Sequence, residues 1–334
     1  MAEMILEFEG ISKSFFGIRA LQDVSLSMET ETILGLVGEN GAGKTTLMII
    51  LGGVLPADSG KMRIYGEEYA PTGPADAIDR GVAFIHQELN LFTNLTVAEN
   101  IYIGGFPKYT GLPLVDKRRM NESAQPLLES INLDVSASTK VETLSPGERQ
   151  LVEITKALAA DARIIIFDEP TTSLTAKETR KLFDIIRQLK DQGKSIIYIS
   201  HILDDVVSLV DHVAVLRDGN LMATGPKAEF PIRKMISLMV GRDIENLYPE
   251  KSSRPEEAPM LSVRGISQPG IVREISFELH KGEILGLFGL MGSGRSELAR
   301  IIFGIDPHKE GEVLVDGTPL RGDAPRECIN RRMA

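Results

Sequence analysis

The sequence predicts an α/β fold built around a phosphate-binding loop and followed by a second, incomplete copy of the same domain. Three observations carry this. Short apolar runs alternate with amphipathic helical patterns, as in sheets covered by helices. Gly38-Glu39-Asn40-Gly41-Ala42-Gly43-Lys44-Thr45 has phosphate-loop spacing and stands between a strand-like segment, Ile33–Val37, and a helix-like one, the context such a loop needs. Thr32 to Leu47 (TILGLVGENGAGKTTL) recurs at Glu283 to Leu298 (EILGLFGLMGSGRSEL), an offset of 251 residues. The repeat extends outward. Val24-Ser25-Leu26 matches Ile275-Ser276-Phe277, Gly60 matches Gly311 and Gly66 matches Gly317, while Gly10-Ile11-Ser12 matches Gly265-Ile266-Ser267 at offset 255.

A chain of 334 residues is long enough for two domains. The first is expected at 1–238 with a helical insertion at about 90–160, then a polar, proline-containing linker at 239–259, then the N-terminal part of a second domain at 260–334. With 43% apolar and 25% charged residues the chain is globular rather than disordered or fibrous. The longest apolar run, Leu47 to Leu55, falls short of the ~20 residues that cross a bilayer and reads as a core helix. The N-terminus, MAEMILEFEG, lacks the pattern of a secretory signal. The single cysteine, Cys328, excludes an internal disulfide and fits a reducing cytosol. A net charge of −10 argues against nucleic acid as the main partner. The twelve methionines are scattered and read as core filler.

The elements follow in chain order. Ile33–Val37 and Gly81–His86 read as strands, and Glu122 to Asp161 as mostly helical apart from a loop at Val135–Pro146. Within that stretch Ser145 is placed as an N-cap with Glu148 three residues on, a capping box. Ile164–Phe167 is a short apolar run bounded by polar residues, as expected of a buried parallel strand. Ala176 to Gln192 carries Leu182, Ile185, Ile186 and Leu189 on one helical face, and Gly193 ends it. Ser195–Ile199 is another buried strand, and Leu216 to Leu221 a hairpin turned by Asp218-Gly219.

The chemistry lies where these elements end. Glycines let the loop's N–H groups converge on phosphate oxygens at the positive end of the following helix. Gly38, Glu39, Asn40, Gly41, Ala42, Gly43, Lys44, Thr45 and Thr46 are the candidate nucleotide contacts. Lys44 would reach the β- and γ-phosphates and the Thr45 hydroxyl would ligate Mg²⁺. Asp168 and Glu169 end a strand, where ligands bind in such sheets. Asp168 suits the Mg²⁺ shell, and Glu169 suits a general base that polarises water. His201 follows a strand and could orient the water–glutamate pair or meet the γ-phosphate. Gln87 could reach the metal and the water from its carbonyl oxygen. The N-terminus of the helix after Ser145 is both a capped end and a phosphate site.

Taken together, phosphate loop, Gln87, LSPGERQ (Leu144–Gln150), Asp168-Glu169 and His201 resemble the ATP-binding-cassette (ABC) ATPases, LSPGERQ being a variant of their LSGGQ signature. HQELNLFTNLTVAENI (His86–Ile101), DEPTTSLT (Asp168–Thr175), SHILDDV (Ser200–Val206) and VLRDG (Val215–Gly219) are similar to the tandem ATPases of bacterial monosaccharide importers. The resemblance implies a P-loop NTPase core with an antiparallel β subdomain and a helical insertion. It implies ATP and Mg²⁺ as ligands, with ATP sandwiched between one phosphate loop and the opposing signature. That signature is represented here by Ser145, Gly147 and Glu148, and Phe15 would stack on adenine with Phe16 as its competitor. Implied partners are membrane-spanning permease subunits contacted through the helical insertion, a periplasmic or secreted sugar-binding protein, and a second cassette or a second copy of the chain. The implied location is cytoplasmic, peripheral on the inner face of the membrane.

Two departures stand out: Pro146 removes an N–H where the signature has glycine, and Thr175 stands where other cassettes have aspartate. In the second loop Arg295 replaces the lysine, so that site is expected to be poor at catalysis. The sequence carries no second signature, acid pair or switch histidine after it, so exposed apolar surface and slow hydrolysis are expected unless copies pair in trans. Two other functions share parts of this pattern: a soluble cassette acting on nucleic acid or ribosomes, and a P-loop kinase or switch. Coiled-coil insertions, zinc cysteines and basic tails, the marks of the first, are lacking here, and LSPGERQ with His201 speaks against the second.

Overall fold

Four strands expected from the sequence, Ile33–Val37, Gly81–His86, Ile164–Phe167 and Ser195–Ile199, do lie side by side in one sheet, and their alternate residues face two different cores. The computed structural model describes residues 3–86, 90–109, 114–172, 174–241, 258–290, 292–320 and 325–333, and the chain divides into two units, Met1–Glu245 and Asn246–Ala334. In the first unit β1 (Met4–Phe15) and β2 (Ile18–Glu29) form a long hairpin, followed by β3 (Ile33–Val37), α1 (Lys44–Leu51), β4 (Ser59–Ile64), β5 (Glu67–Glu68), α2 (Pro74–Asp79) and β6 (Val82–Ile85). Next come α3 (Val97–Ile101), α4 (Lys117–Ser130) and α5 (Pro146–Ala159), inserted before β7 (Ile164–Asp168). α6 (Ala176–Asp191), β8 (Ser195–Ile199), α7 (Leu203–Leu209), β9 (His212–Arg217), β10 (Asn220–Pro226) and α8 (Ile232–Val240) complete it.

The main sheet has the order β10-β9-β3-β8-β7-β6, with β9, β3, β8, β7 and β6 parallel and β10 antiparallel. Its pleat separates two cores. Ile33, Val37, Ile165, Phe167, Ile196, Tyr198, Val213 and Val215 pack with the helical insertion, α6 and α7. Leu34, Leu36, Ile164, Ile166, Ile197, Ile199, Ala214 and Leu216 pack with α1 and with the antiparallel sheet β2-β1-β4-β5. A sheet buried on both faces explains why its strands read as unbroken apolar runs. Gly35 lets α7 close onto it, since a Cβ there would lie 3.0 Å from side-chain atoms of Val206 and Val210.

Helix ends depart from the sequence reading for identifiable reasons. α1 stops at Leu51 rather than running to Leu55, because Gly52 caps it and Gly53 turns the chain at φ 70. α4 begins at Lys117, five residues before the expected Glu122, because Asp116 accepts from the Arg119 N–H as an N-cap. α8 extends to Val240, past the expected boundary at 238, until Gly241 ends it in the left-handed region at φ 74.

The second unit repeats the first in detail. β11 (Pro259–Gln268), β12 (Val272–His280), α9 (Arg295–Ile302), β13 (Glu310–Val315), β14 (Thr318–Pro319) and α10 (Pro325–Asn330) follow one another, and the sheet order β12-β11-β13-β14 matches β2-β1-β4-β5. The Gly10 N–H donates to Ser25 Oγ at 2.9 Å, and its counterpart Gly265 donates to Ser276 Oγ at 2.8 Å. Residues 283–290 differ: the equivalent of β3 forms no strand, and Ile284 (98%) and Phe288 (103%) are fully exposed. In the first unit β3 lies between β8 and β9, and the described residues of the second unit contain no strands of that kind.

Candidate functional site

Parallel strands deliver the residues that follow them to one end of the sheet, and Lys44, Thr45, Asp168, Glu169 and His201 gather there. The phosphate loop follows β3. Gly41 and Gly43 adopt φ 84 and 100, values that a side chain would strain. The loop is also closely backed: a Cβ on Gly38 would fall 2.4 Å from the Leu216 carbonyl oxygen, and one on Gly43 2.6 Å from that of Ala20. The Asp218-Gly219 turn, at φ 49 and 77, braces it from the other side. The Gly219 N–H donates to the Ala42 carbonyl at 3.1 Å and the Gln22 N–H to the Gly219 carbonyl at 2.8 Å. Gly219 thus supports the loop, a role that the hairpin reading of VLRDG did not include.

Lys44 opens α1 and is buried, 6% exposed. Its Nζ donates to the carbonyls of Gly38 (2.9 Å) and Glu39 (3.0 Å), so the ammonium lies within the curl of the loop. Burial lowers its pKa, opposed by the charges of Glu169 and Asp168. Burial, with the neighbouring Glu169 charge, raises that of Asp168, opposed by Lys44 and by a hydrogen bond from the Thr45 hydroxyl. Lys44, Thr45, Asp168 and Glu169 therefore form one electrostatic cluster. Glu169 takes φ 46, rare for its type, and its N–H donates to the Ile199 carbonyl at 3.0 Å. His201 Nδ1 lies 3.0 Å from Glu169 Oε1, the distance at which an N–H donates to a carboxylate. Gln87 lies outside the described residues.

The cluster fits a nucleotide with its divalent ion. Loop N–H groups and the start of α1 suit phosphate oxygens, and a hydroxyl beside a carboxylate suits a hard cation that takes its remaining ligands from phosphate and water. No group of three or more His, Cys, Asp or Glu side chains poised to hold a metal by themselves occurs among the described residues.

Ser145, Gly147 and Glu148 form a separate place at the start of α5. Ser145 Oγ accepts from the Glu148 N–H at 3.3 Å, and Glu148 Oε2 from the Ser145 N–H at 2.8 Å, the anticipated capping box. Pro146 is the first residue of the helix, where its N–H would have had no helical partner in any case. Thr175 caps α6 in the same way with Glu178, whose carboxylate also accepts from the Gly147 N–H. A cavity of about 150 Å³ separates the two helix starts. Glu178 was not singled out from the sequence, although Thr175-x-x-Glu178 carries the same capping-box spacing.

Phe15 ends β1, half-buried, with Lys13 Nζ 5.8 Å from its ring centroid, whereas Phe16 in the hairpin turn is fully exposed at φ 49. In the second unit Gly292 and Gly294 repeat the loop's left-handed glycines at φ 77 and 85, but Arg295 is exposed where Lys44 is buried.

Comparison with known proteins bears on the family of the chain. The family model described as ABC transporter matches residues 21–172 and 272–333. A ribose/galactose/methyl galactoside import ATP-binding protein of Burkholderia cenocepacia is 43% identical over 334 residues, covering 100% of this chain and 63% of its own length. An arabinose import ATP-binding protein of Rhizobium etli is 45% identical over 329 residues, 98% of this chain and 65% of that protein. The chain spans less than two thirds of the length of these curated relatives. Among solved structures, an ATP-binding cassette of an ABC transporter in its ADP conformation matches with a TM-score of 0.63 at 28% identity, over 72% of this chain and 99% of that one. With the family model matching more than half of its residues, the chain belongs to the ABC transporter family.

Proposed function

We propose that the chain binds and hydrolyses ATP at the first phosphate loop and uses the energy to power import of a monosaccharide. The observation that carries this is the pairing of Glu169 with His201 at 3.0 Å beside Lys44, Thr45 and Asp168. Phe15 stacks on the adenine, the loop from Gly38 to Thr46 holds the phosphates, and Lys44 neutralises charge on the β- and γ-phosphates. Thr45 and Asp168, together with Gln87 outside the described residues, would hold Mg²⁺, which would supply further neutralisation of the phosphate charge. Glu169 accepts a proton from water as the water oxygen bonds to the γ-phosphorus and the bridging P–O bond to ADP breaks, giving ADP and inorganic phosphate. His201 holds the carboxylate in place. The signature residues Ser145, Gly147 and Glu148 serve the ATP of an opposing cassette, in a second domain or a second copy of the chain.

Import is supported by the names of the sugar-import relatives, and the working partners on this reading are membrane-spanning permease subunits and a sugar-binding protein. Work at the cytoplasmic face of the membrane follows from the same reading. A cavity of about 590 Å³ between α2, β6 and the inserted helices, with Ile78, Phe84, Ile103 and Glu153 on its walls, suits a segment of the permease. The test is calorimetric titration of the chain with ATP and Mg²⁺, followed by a phosphate-release assay. Binding that Lys44→Ala abolishes at micromolar nucleotide supports the site, whereas unchanged affinity in that variant overturns it.

A further inference from the structure

The distance between Glu169 and His201 depends on two loops that diverge. Asp168 pairs with Ile199 at the ends of the parallel strands β7 and β8, and the Glu169 N–H still donates to the Ile199 carbonyl. Beyond that point one chain segment runs to α6 and the other to α7, so backbone pairing no longer fixes their separation. The left-handed φ of 46 at Glu169 is strained for a glutamate, and such a conformation persists only where its surroundings over-determine it.

A side-chain tie lies beneath the pair. Thr171, two residues past Glu169 and 7% exposed, donates its hydroxyl to Asp205 Oδ2 at 2.8 Å. Asp205 lies four residues past His201, on the first turn of α7. An acid there ordinarily serves the free N–H groups of its own helix. α7 has no side-chain cap, and the Asp205 carboxylate crosses to the other loop instead. A second hydroxyl meets the same oxygen: the fully buried Tyr198, edge-on to Phe183 at 6.1 Å, donates to Oδ2 at 3.4 Å. Ser200 Oγ accepts from the Ile202 N–H at 3.0 Å and fixes the turn that carries His201.

We propose that Asp205, through Thr171, is a positioning residue: it clamps the loop bearing Glu169 to the segment bearing His201 and holds the imidazole within hydrogen-bond reach of the carboxylate. This rests on the reading of Glu169 as base given above. Beyond about 3.5 Å the hydrogen bond is lost, and misplacement of a reacting group by about 1 Å can cost on the order of 10²-fold in rate.

The test uses the full chain with Thr171→Val, which replaces the hydroxyl by a methyl group of similar size, Thr171→Ser, which keeps the hydroxyl, and Asp205→Ala. Thr171→Val and Asp205→Ala are expected to lower kcat for ATP at least about tenfold while nucleotide affinity stays within about twofold, and Thr171→Ser recovers most of the rate. In a His201→Ala background Thr171→Val costs nothing further, because both act through one pair. Independently of turnover, the His201 imidazole resonances, assigned by their loss in His201→Ala, shift in Thr171→Val. Wild-type kcat in Thr171→Val overturns the proposal, as does its full loss in the His201→Ala background or an unmoved imidazole signal. A wild-type chain that binds ATP without hydrolysing it counts against Glu169 as base, and the imidazole signal then still decides whether the clamp exists.

Discussion

Lys44 spends two of its three N–H donors on the carbonyls of Gly38 and Glu39, which fixes the ammonium as a compact charge inside a closely backed loop. A planar guanidinium cannot fill that place. Lys44→Arg is therefore expected to abolish hydrolysis, while Arg295→Lys, on an exposed side chain, leaves the rate within about twofold; equal damage from both refutes the asymmetry. Asp168 gives a stability prediction. Because burial and the Glu169 charge raise its pKa, the folded chain retains a proton that the unfolded chain has already released, and stability falls as pH rises through that interval. Asp168→Asn removes this penalty. At neutral pH the nucleotide-free variant should melt at a higher temperature than the wild-type chain, read by thermal unfolding, while Mg²⁺-dependent nucleotide binding weakens. At this scale the glycine spacing and the strand-end acids were legible, because local backbone geometry and strand position dictate them. The Thr171–Asp205 and Gly147–Glu178 contacts were not. They join residues 34 and 31 positions apart, and no local pattern marks which distant side chain a hydroxyl or an N–H will meet.

Elements were readable in proportion to how much their own residues decide them. The strands Ile33–Val37 and Ser195–Ile199 match their expected bounds, since a strand buried on both faces has a continuous apolar run with polar ends. The start of α4 was missed because Lys117, Arg118 and Arg119 interrupt the apolar period, and its N-cap, Asp116, lies before them. The capping box of α5 predicts that Ser145→Ala costs about 1 kcal/mol, seen as a lower urea midpoint with an unchanged slope. Turn glycines give a sharper contrast. A Cβ on Gly60, at φ 97, would fall 2.5 Å from the Gly10 carbonyl oxygen, whereas one on Gly66, at φ 71, meets nothing within 4 Å. Gly66→Ala should cost about 1–2 kcal/mol from backbone strain alone, and Gly60→Ala clearly more by the same denaturation measurement.

At the scale of the whole molecule, the repeat visible in the sequence survives as one antiparallel sheet built twice, down to the paired Ser25 and Ser276 hydrogen bonds. What the repeat could not foretell is that the second counterpart of β3 forms no strand, because a strand's neighbours are set by topology rather than by its own composition. If a signature on another copy completes the first site, specific activity rises with protein concentration, since pairing is second order, and a flat rate over a hundredfold dilution contradicts that arrangement. The proposed hydrolysis depends above all on Glu169 taking the proton from water. The deciding measurement is nucleotide binding and phosphate release by Glu169→Gln under identical conditions. With Glu169 as the base, this variant binds ATP as tightly as the wild-type chain and hydrolyses it about 10²–10⁴-fold more slowly; turnover near the wild-type rate would exclude Glu169 from that role.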